Sequence, residues 1–495
     1  MTTTEHHTSA SVSLTREGES ILFPSLPYHM HDRNRRAVHN DKLIAAVEVA
    51  TLAKDVGRKK IFADTFGPRY DSLRTLAGQI KQHTLDHLDH YLEQFIDRAE
   101  ANGVRVHFAA DAREANAICV EIAQHEKCTA CVKSKSMVTE ETHLLPALEA
   151  VGIETLETDL GEFILQIDHD VPSHIVTPMI HKDRYDTAAA FQRELGAPYT
   201  TDPQQLTRIA REYLRDKYRK ADLGISGGNF LVADSGSLVI CTNEGNATFC
   251  VTAPRVHIAF VGIEKLIPSA EHLAVFLKLL ARSSTAQPMT IYTDIISGPK
   301  RPADSDGPEQ VHIILVDNGR TKILADEKMR ETLRCIRCGA CLNACPVYRK
   351  VTGHSYGAVY SGPIGALITP MFRGLRNYKD LPYASSLCGA CGEACPVKID
   401  IPRLLIELRS RAVKTGLAGR VEKLAFDAYS ASLKHAWTYR LANALSGPVL
   451  RAMADHDGYI SKAPPPFGGW TDERDLPAPA EQSFRGWWKQ NRRNL

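Results

Sequence analysis

The sequence predicts an α/β domain with a mainly parallel sheet, then a small cysteine-rich module, then a helical C-terminal region. Three observations lead there. Between about residues 85 and 320, short β-type runs alternate with segments of helical periodicity, the pattern of parallel strands joined by helical crossovers. Seven of the twelve cysteines fall between Cys335 and Cys395. Beyond Arg403 the apolar residues recur at helical spacing. The expected boundaries are 1–60 for an N-terminal tail and helix, 61–320 for the α/β domain, 321–403 for the cysteine module, and 404–495 for the helical region with its Pro- and Trp-rich tail.

Each element has its own signal. Residues 21–60 read as helical and basic, with His29, Arg33, Arg35 and Arg36 ahead of Asp41 to Lys54. Residues 85–102 place Leu85, Leu88, Tyr91, Leu92, Phe95 and Ile96 at spacings of three and four, an amphipathic helix. Val104–Phe108 reads as a strand, Ala112–His125 as a helix, Cys128–Val132 as a strand, and Glu140–Ala150 as a helix closed by Gly152. Leu231–Ala233, Leu238–Cys241, Thr248–Thr252 and His257–Val261 read as short strands. A helix over Glu271–Arg282 and a strand over Val311–Val316 follow, ended by the turn Asp317-Asn318-Gly319. Pro299–Pro308 reads as a surface loop. The C-terminal helical stretch is expected from Leu404 to about Leu445, broken by Ser446-Gly447-Pro448.

Composition narrows the function classes. At 495 residues the chain is too long for one domain of about 150 residues. The net charge of +2 gives no basic excess for phosphate contacts, so nucleic acid is not an expected partner. Met1–Ser20 is polar and lacks the apolar run of a secretory signal; a mobile tail is expected there. No apolar stretch reaches the ~18 residues of a membrane span, and the nearest, Leu273–Ala281, contains Lys278. A cytoplasmic protein is expected, peripheral to a membrane only through partners.

The cysteines carry the chemistry. Cys335-x2-Cys338-x2-Cys341-x3-Cys345-Pro346 has the spacing of bacterial ferredoxins. Three thiolates on one tight loop can take three corners of an iron–sulfide cube, with Gly339 allowing the backbone to turn closely. The fourth cysteine points to the other cluster. The motif repeats as Cys388-x2-Cys391-x3-Cys395-Pro396 with its first cysteine missing; Ser385 stands there, beside Ser386. The crossing rule assigns Cys335, Cys338, Cys341 and Cys395 to one 4Fe–4S cluster. Cys345, Cys388 and Cys391 are left for a second. That site is either 3Fe–4S, or 4Fe–4S with a non-cysteine fourth ligand (Ser385, Ser386, water or substrate), or is completed by a distant cysteine such as Cys241 or Cys250. A zinc ribbon is the alternative, but it pairs two C-x2–4-C knuckles and does not explain a third cysteine two residues on. Cys128-x2-Cys131 looks like a redox or metal pair, but residues three apart in a strand point to opposite faces, and the two read with Cys119, Cys241 and Cys250 as core residues.

These residues also carry a resemblance. Cys335-Ile-Arg-Cys-Gly-Ala-Cys-Leu-Asn-Ala-Cys-Pro, Gly353-His-Ser-Tyr-Gly, Tyr360-Ser-Gly-Pro-Ile-Gly-Ala and the Leu381–Ile399 stretch resemble lactate utilization protein B. So do Lys133-Ser-Lys-Ser-Met, Gly224-Ile-Ser-Gly-Gly-Asn-Phe, Asn243-Glu-Gly-Asn, Val256–Lys265 and the tail with Gly468-Gly-Trp-Thr and Ser483-Phe-Arg-Gly-Trp-Trp. The resemblance spans about residues 60–495. It implies an α/β lactate-utilization domain akin to the sugar-phosphate isomerase and CoA-transferase group, followed by an α-helical ferredoxin-like module with two iron–sulfur clusters. It further implies an electron-transfer subunit in the oxidation of L-lactate to pyruvate. The implied partners are the other lactate-utilization subunits and a quinone or electron carrier.

In the α/β domain the sequence suggests an anion site. Lys133 and Lys135 stand where a strand gives way to a helix, with Ser136 or Thr139 as N-cap. Gly227 and Gly228 could let a backbone approach a ligand, though no G-x-G-x-x-G is present. Glu244 and His257, polar within β-rich sequence near Asn246, could do acid–base work on a hydroxy acid; a turn glutamate and a satisfied half-buried histidine are the plainer reading. His174 and His181 could be metal ligands, although Pro178 argues against one helix face. Two other functions remain open. One is an α/β-domain enzyme acting on a small anionic substrate, with the clusters as redox sensor. The other is an electron-transfer scaffold for a different oxidoreductase. No flavin motif is present, so a hydride acceptor would sit on a partner. The Trp-rich tail and Arg33–Arg36 could dock partners or simply pack on the chain.

Overall fold

The computed structural model describes residues 20–464, 468–471 and 474–492. The chain divides into two compact units, one ending at Ala412 and one beginning at Val413.

The first unit is built on a six-stranded sheet, and every pairing in it is parallel. Its strands belong to a set of ten in this unit: β1 Arg105–Ala109, β2 Ala130–Lys133, β3 Glu154–Glu157, β4 Leu223–Gly227, β5 Phe230–Val232, β6 Ser237–Thr242, β7 Val256–Gly262, β8 Leu266–Ile267, β9 Tyr292–Ile296 and β10 Gln310–Val316. The order across the large sheet is β1-β10-β7-β4-β2-β3. All seven residues of β7 are buried, as a central strand covered on both faces requires. A smaller mixed sheet, β8-β5-β6-β9, lies beside it. The hairpin between β5 and β6 turns at Gly236, whose φ is +65°. A Cβ there would sit 2.3 Å from the amide nitrogen of Ala99, so only glycine fits against that helix.

Several expected elements appear in place. The helix Ala112–His125 is capped by Asp111, which accepts from the amides of Arg113 and Glu114 at 2.9 Å. The strands over 105–109, 230–232, 237–242, 256–262 and 310–316 lie where periodicity put them. Others differ for physical reasons. The expected helix Glu140–Ala150 is two short helices, Met137–Thr142 and Leu144–Glu149, separated at His143 with φ +58°. The expected strand Thr248–Thr252 is part of a helix, Asn246–Thr252. Its β-branched residues favour extended backbone, but Ala247, Cys250 and Val251 form one buried face at helical spacing. That helix seats on β4 so closely that a Cβ on Gly224 would lie 1.8 Å from the Cys250 carbonyl oxygen. The stretch 85–102 is the end of Arg69–Asp86 and the helix Leu88–Ala101, parted at His87.

The expected tail, Met1–Ser20, lies outside the described residues except for Ser20, but the segment 20–66 is no separate appendage. The helix Asp41–Phe66, capped by Asn40 on the Leu43 amide at 3.1 Å, runs past residue 60. Its Val47 and Phe62 enter the same apolar core as Cys338, Cys341, Cys345, Cys391 and Cys395. Phe276 and Leu279, from the helix Ala270–Thr285, join that core too. A loop of the α/β layers closes it: a Cβ on Gly353 would fall 1.6 Å from the Ser173 carbonyl oxygen.

The second unit contains the helices Arg420–Leu433 and Ala436–Ala452, a two-strand pair joining Tyr459–Ile460 to Leu476–Pro477, and the helix Phe484–Asn491. The expected break at Ser446-Gly447-Pro448 does not occur; the helix continues through Pro448 to Ala452. Leu424, Phe426, Trp437 and Leu445 on these helices are all well exposed. Among the described residues no helix is long and apolar enough to cross a membrane.

Candidate iron–sulfur centre and adjoining cavity

Two loops of matching shape carry the cysteines. In Arg337-Cys338-Gly339-Ala340-Cys341 and Leu387-Cys388-Gly389-Ala390-Cys391, the residue before the first cysteine has φ +60° or +55°, and the glycine after it +74° or +85°. Each loop runs into a five-residue helix, Ala340–Ala344 or Ala390–Ala394, and then into Cys-Pro. The two helices pack on each other. A left-handed Arg or Leu is costly, about 1–3 kcal/mol, and is kept where surrounding structure over-determines it.

Cys335, Cys338, Cys341 and Cys395 line one enclosure whose other walls are apolar, including Ile175, Ile364, Val397 and Ile399. All twelve cysteines of the chain are free thiols. Burial pushes the Cys338 and Cys341 thiols up and that of Cys395 to about 11. Cys345, Cys388 and Cys391 form the other group: burial and then Cys345 raise Cys391 to about 12, and Cys388 adds to the rise at Cys345. Three buried thiols and the half-buried Cys335, held together without disulfides, need a soft cation to become thiolates. Amides already point at sulfur, from Arg337 to Cys335, Tyr348 to Cys345 and Ile399 to Cys395, each at 3.4 Å. Arg74 braces the second loop by donating to the carbonyls of Gly392 and Cys395 at 2.9 Å. The donor set fits iron–sulfur clusters. Each group has one less-covered cysteine, the half-buried Cys335 in the first and the exposed Cys388 in the second, while the other five are buried.

The position of the missing cysteine is occupied by Ser385, whose hydroxyl accepts from the Leu387 amide at 3.1 Å and shapes the turn into Cys388. Cys250 hydrogen-bonds with Thr158 at 3.2 Å inside the α/β layers, and Cys241 lines a cavity on the other side of Cys338.

That cavity has a volume of about 340 Å³. It opens at the carboxyl ends of β2, β4 and β7, where parallel sheets place their ligands. Lys135, Gly227, Gly228, Glu244, Lys265, Arg337 and Cys338 are among its lining residues. Cys338 therefore belongs to both the cavity and the cysteine enclosure.

Comparison with known proteins matches this division. Residues 92–316 match the LUD domain, 331–399 the 4Fe-4S dicluster domain, and 411–493 the C-terminal region of lactate utilisation protein B. Lactate utilization protein B of Geobacillus kaustophilus (strain HTA426) is 47% identical over 85% of this chain and 88% of its own. That of Anoxybacillus flavithermus (strain DSM 21510 / WK1) is 43% identical over 93% and 97%. The chain belongs to the lactate utilization protein B family. The dicluster-domain match and the clustered cysteines together make it an iron–sulfur protein. A solved duf162 family protein from Deinococcus radiodurans covers 46% of this chain and 98% of its own at 13% identity, with a TM-score of 0.26 that is too low to argue from.

For this member of the lactate utilization protein B family, the α/β residues singled out in the sequence divide in two. Lys133 is fully buried, with its ammonium 2.6 Å from Glu157 and 3.1 Å from Glu140. Burial alone would lower it, but those carboxylates hold it charged and above its usual range. Lys135 reaches the cavity but is paired with Glu162 at 2.8 Å. The expected lysine pair is thus neutralised within the protein, and only Lys135 lines the cavity. Ser136 is the N-cap, accepting from the Thr139 amide at 3.3 Å. Gly227 and Gly228 line the cavity, but their smallness serves packing: a Cβ would meet the Ser136 hydroxyl at 2.8 Å or Leu238 at 2.6 Å.

Glu244 lines the cavity, accepts from the Leu160 amide at 3.1 Å, and is raised to about 7 by burial and by Asp159. His257 does not line it. The imidazole is buried in β7, bonded to the Ser226 hydroxyl at 2.8 Å, and held neutral by burial, its pKa lowered to about 3. The expected Glu244–His257 acid–base pair is therefore not assembled. His174 and His181 also part company. His174 accepts from the Val176 and Thr177 amides at 3.0 and 3.1 Å, so its Nε2 donates to Asn343, between Cys341 and Cys345, at 3.2 Å. It supports the cysteine loop from behind, its ring against Gly339. His181 instead lies with Asp170 and His354, within reach of one another as ligands, but the Lys182 ammonium already sits 2.8 Å from Asp170.

The residues that sequence reasoning missed are charged and buried. Arg320 pairs bidentately with Glu141 at 2.9 Å and also with Glu264. Glu264 accepts from Arg337 at 3.3 Å, and the Arg337 guanidinium lies 4.7 Å from the centre of the Tyr360 ring. Lys265 beside it is buried, and burial and then Arg337 lower it to about 8. The available signal was the charged pair Glu264-Lys265 directly after an apolar strand.

Proposed function

We propose that this chain is the iron–sulfur electron-transfer subunit of a system that oxidises L-lactate to pyruvate. The observation that supports it best is the double placement of Cys338, on the wall of the cavity and in the cysteine enclosure, with the exposed Cys388 in the second group. In this reading Cys335, Cys338, Cys341 and Cys395 hold an inner 4Fe–4S cluster. Cys345, Cys388 and Cys391 hold an outer one, either 3Fe–4S or 4Fe–4S with a non-cysteine ligand such as Ser385 completing it. The clusters supply reversible one-electron transfer and cannot take a hydride. The chain's own residues do the rest: the apolar walls around the inner cysteines keep water out, the amides on Cys335, Cys345 and Cys395 offset thiolate charge, and exposure at Cys388 lets a redox partner approach. Lactate releases two electrons, so the hydride-level step belongs to another lactate-utilization subunit, with a quinone or carrier as final acceptor. The setting is the cytoplasm, with any contact to a membrane made through those partners. The names of the relatives, lactate utilization protein B, support the substrate.

The test is anaerobic purification with iron and acid-labile sulfide counts, then electron paramagnetic resonance after mixing with L-lactate and the other subunits. Lactate-dependent reduction of two distinguishable clusters is expected. A colourless protein without sulfide overturns the proposal.

A further inference from the structure

We propose that the cavity beside Cys338 is a binding site for a small monocarboxylate, held by Lys265 and Arg337. The inference rests on reading the neighbouring cysteines as the inner cluster's ligands, and it names the ligand class that the cluster faces.

Four observations carry it. Lys265 lines the cavity with 6% of its surface exposed, and its ammonium makes no hydrogen bond or ion pair among the described residues. A buried charge without a partner is costly enough that a counter-ion is expected. Arg337 lines the same cavity with its side chain 8% exposed, and its Nη1 is buried with no acceptor. Both oxygens of the nearest carboxylate, Glu264, are already taken by Arg320 and Arg337. Three cations, Arg320, Arg337 and Lys265, bear on the single carboxylate of Glu264. An anion in the cavity would answer the Lys265 ammonium directly, with the Arg337 guanidinium adding its charge beside it.

Size and the rest of the lining narrow the class. The volume of about 340 Å³ lies at the small end of ligand pockets, which run about 300–1,000 Å³, and suits an acid of a few carbons rather than a dinucleotide. Asp159 and Glu244 also line the cavity, so a second carboxylate on the ligand would meet like charge. Asn229 and Asn246 offer amides to a hydroxyl or oxo group. The rival counter-charge is the inner cluster itself, because Cys335 lies within electrostatic reach of Lys81, Lys265 and Arg337.

The test uses the full, cluster-loaded chain under anaerobic conditions. Calorimetric titration with pyruvate and with L-lactate should show saturable binding, at least tenfold weaker for neutral lactamide and for dicarboxylic malate. Lys265→Met and Arg337→Gln should each weaken pyruvate or lactate at least tenfold at unchanged iron and sulfide content, and Lys265→Arg should recover most of it. Arg337 adjoins a cysteine ligand; if Arg337→Gln loads poorly, Lys265→Met, off the loop, decides. Full clusters with no carboxylate binding overturn this inference and leave the electron-transfer proposal standing. Equal binding of lactamide, or binding unchanged in Lys265→Met, also overturns it. If the cations serve only the cluster, the variants shift its resonance signal while the wild type binds no carboxylate, which equally refutes the site.

Discussion

Replacing Lys133 by methionine separates the structural from the ligand-binding lysines. At 2.6 Å from Glu157 and 3.1 Å from Glu140, with no exposure of its own, the ammonium neutralises a buried carboxylate. At an effective dielectric of about 20, the attraction to Glu157 alone is of order 6 kcal/mol, before the cost of desolvating both ions. Removing one member of such a pair typically costs about 3–5 kcal/mol, because the other is left buried and charged. Lys133→Met should therefore lower the unfolding free energy of the first unit by about that amount in anaerobic urea titration followed by circular dichroism. Iron content and carboxylate binding should not change. Adding Glu157→Met should recover most of the loss, since apolar replacement of both partners is often nearly neutral. The pH dependence has a definite sign. Glu157 already has its pKa raised by burial, and without Lys133 the rise is larger. A carboxyl raised in the folded state favours folding below its ordinary pKa and loses that benefit as pH climbs. The defect should shrink in acid and grow toward neutrality. A loss under about 1 kcal/mol, or a selective loss of ligand binding, refutes the structural role.

Cys345→Ala or Cys388→Ala should remove the outer cluster's signal and part of the iron while the inner signal persists, as measured by resonance and iron counts. Gly353→Ala should fail to retain clusters, since its Cβ would fall 1.6 Å from the Ser173 carbonyl oxygen; destabilisation of more than about 4 kcal/mol is expected in the same urea assay. His174→Ala should leave the Asn343 side-chain oxygen without its donor, cost about 1–3 kcal/mol and speed cluster loss in air, read from visible absorbance. Carboxylate affinity should fall as pH rises through about 7, where Glu244 becomes charged beside Asp159 with Lys135 committed to Glu162; Glu244→Gln should flatten that fall in calorimetry.

What the sequence made legible was local. Helix Ala112–His125 shows its cap and its period within fifteen residues, and the strands around 256 and 310 announce themselves by apolar, β-branched runs. The cysteine spacing is a short-range geometric code, and its parting into two groups follows from the crossing rule. What stayed hidden depends on distant partners. Nothing near Lys133 says that Glu157 will neutralise it, and nothing near Thr248 says that β4 offers a seat for a helix. Lys265 and Arg337 lie 72 positions apart in the chain, so their shared cavity is a product of topology. Glu244 and His257 stand only 13 apart, yet one faces the cavity and the other is sealed inside a central strand.

The shared core around the cysteines has a consequence for how the protein is made. Val47 and Phe62 emerge from the ribosome long before Cys395, yet they pack into the same apolar core as the cysteines. Iron and sulfide can be loaded securely only once synthesis has passed the last ligand and the early helix has swung back onto it. Until then the newborn chain must wait with its thiols unclaimed, and oxygen or a passing zinc ion would have first access to them.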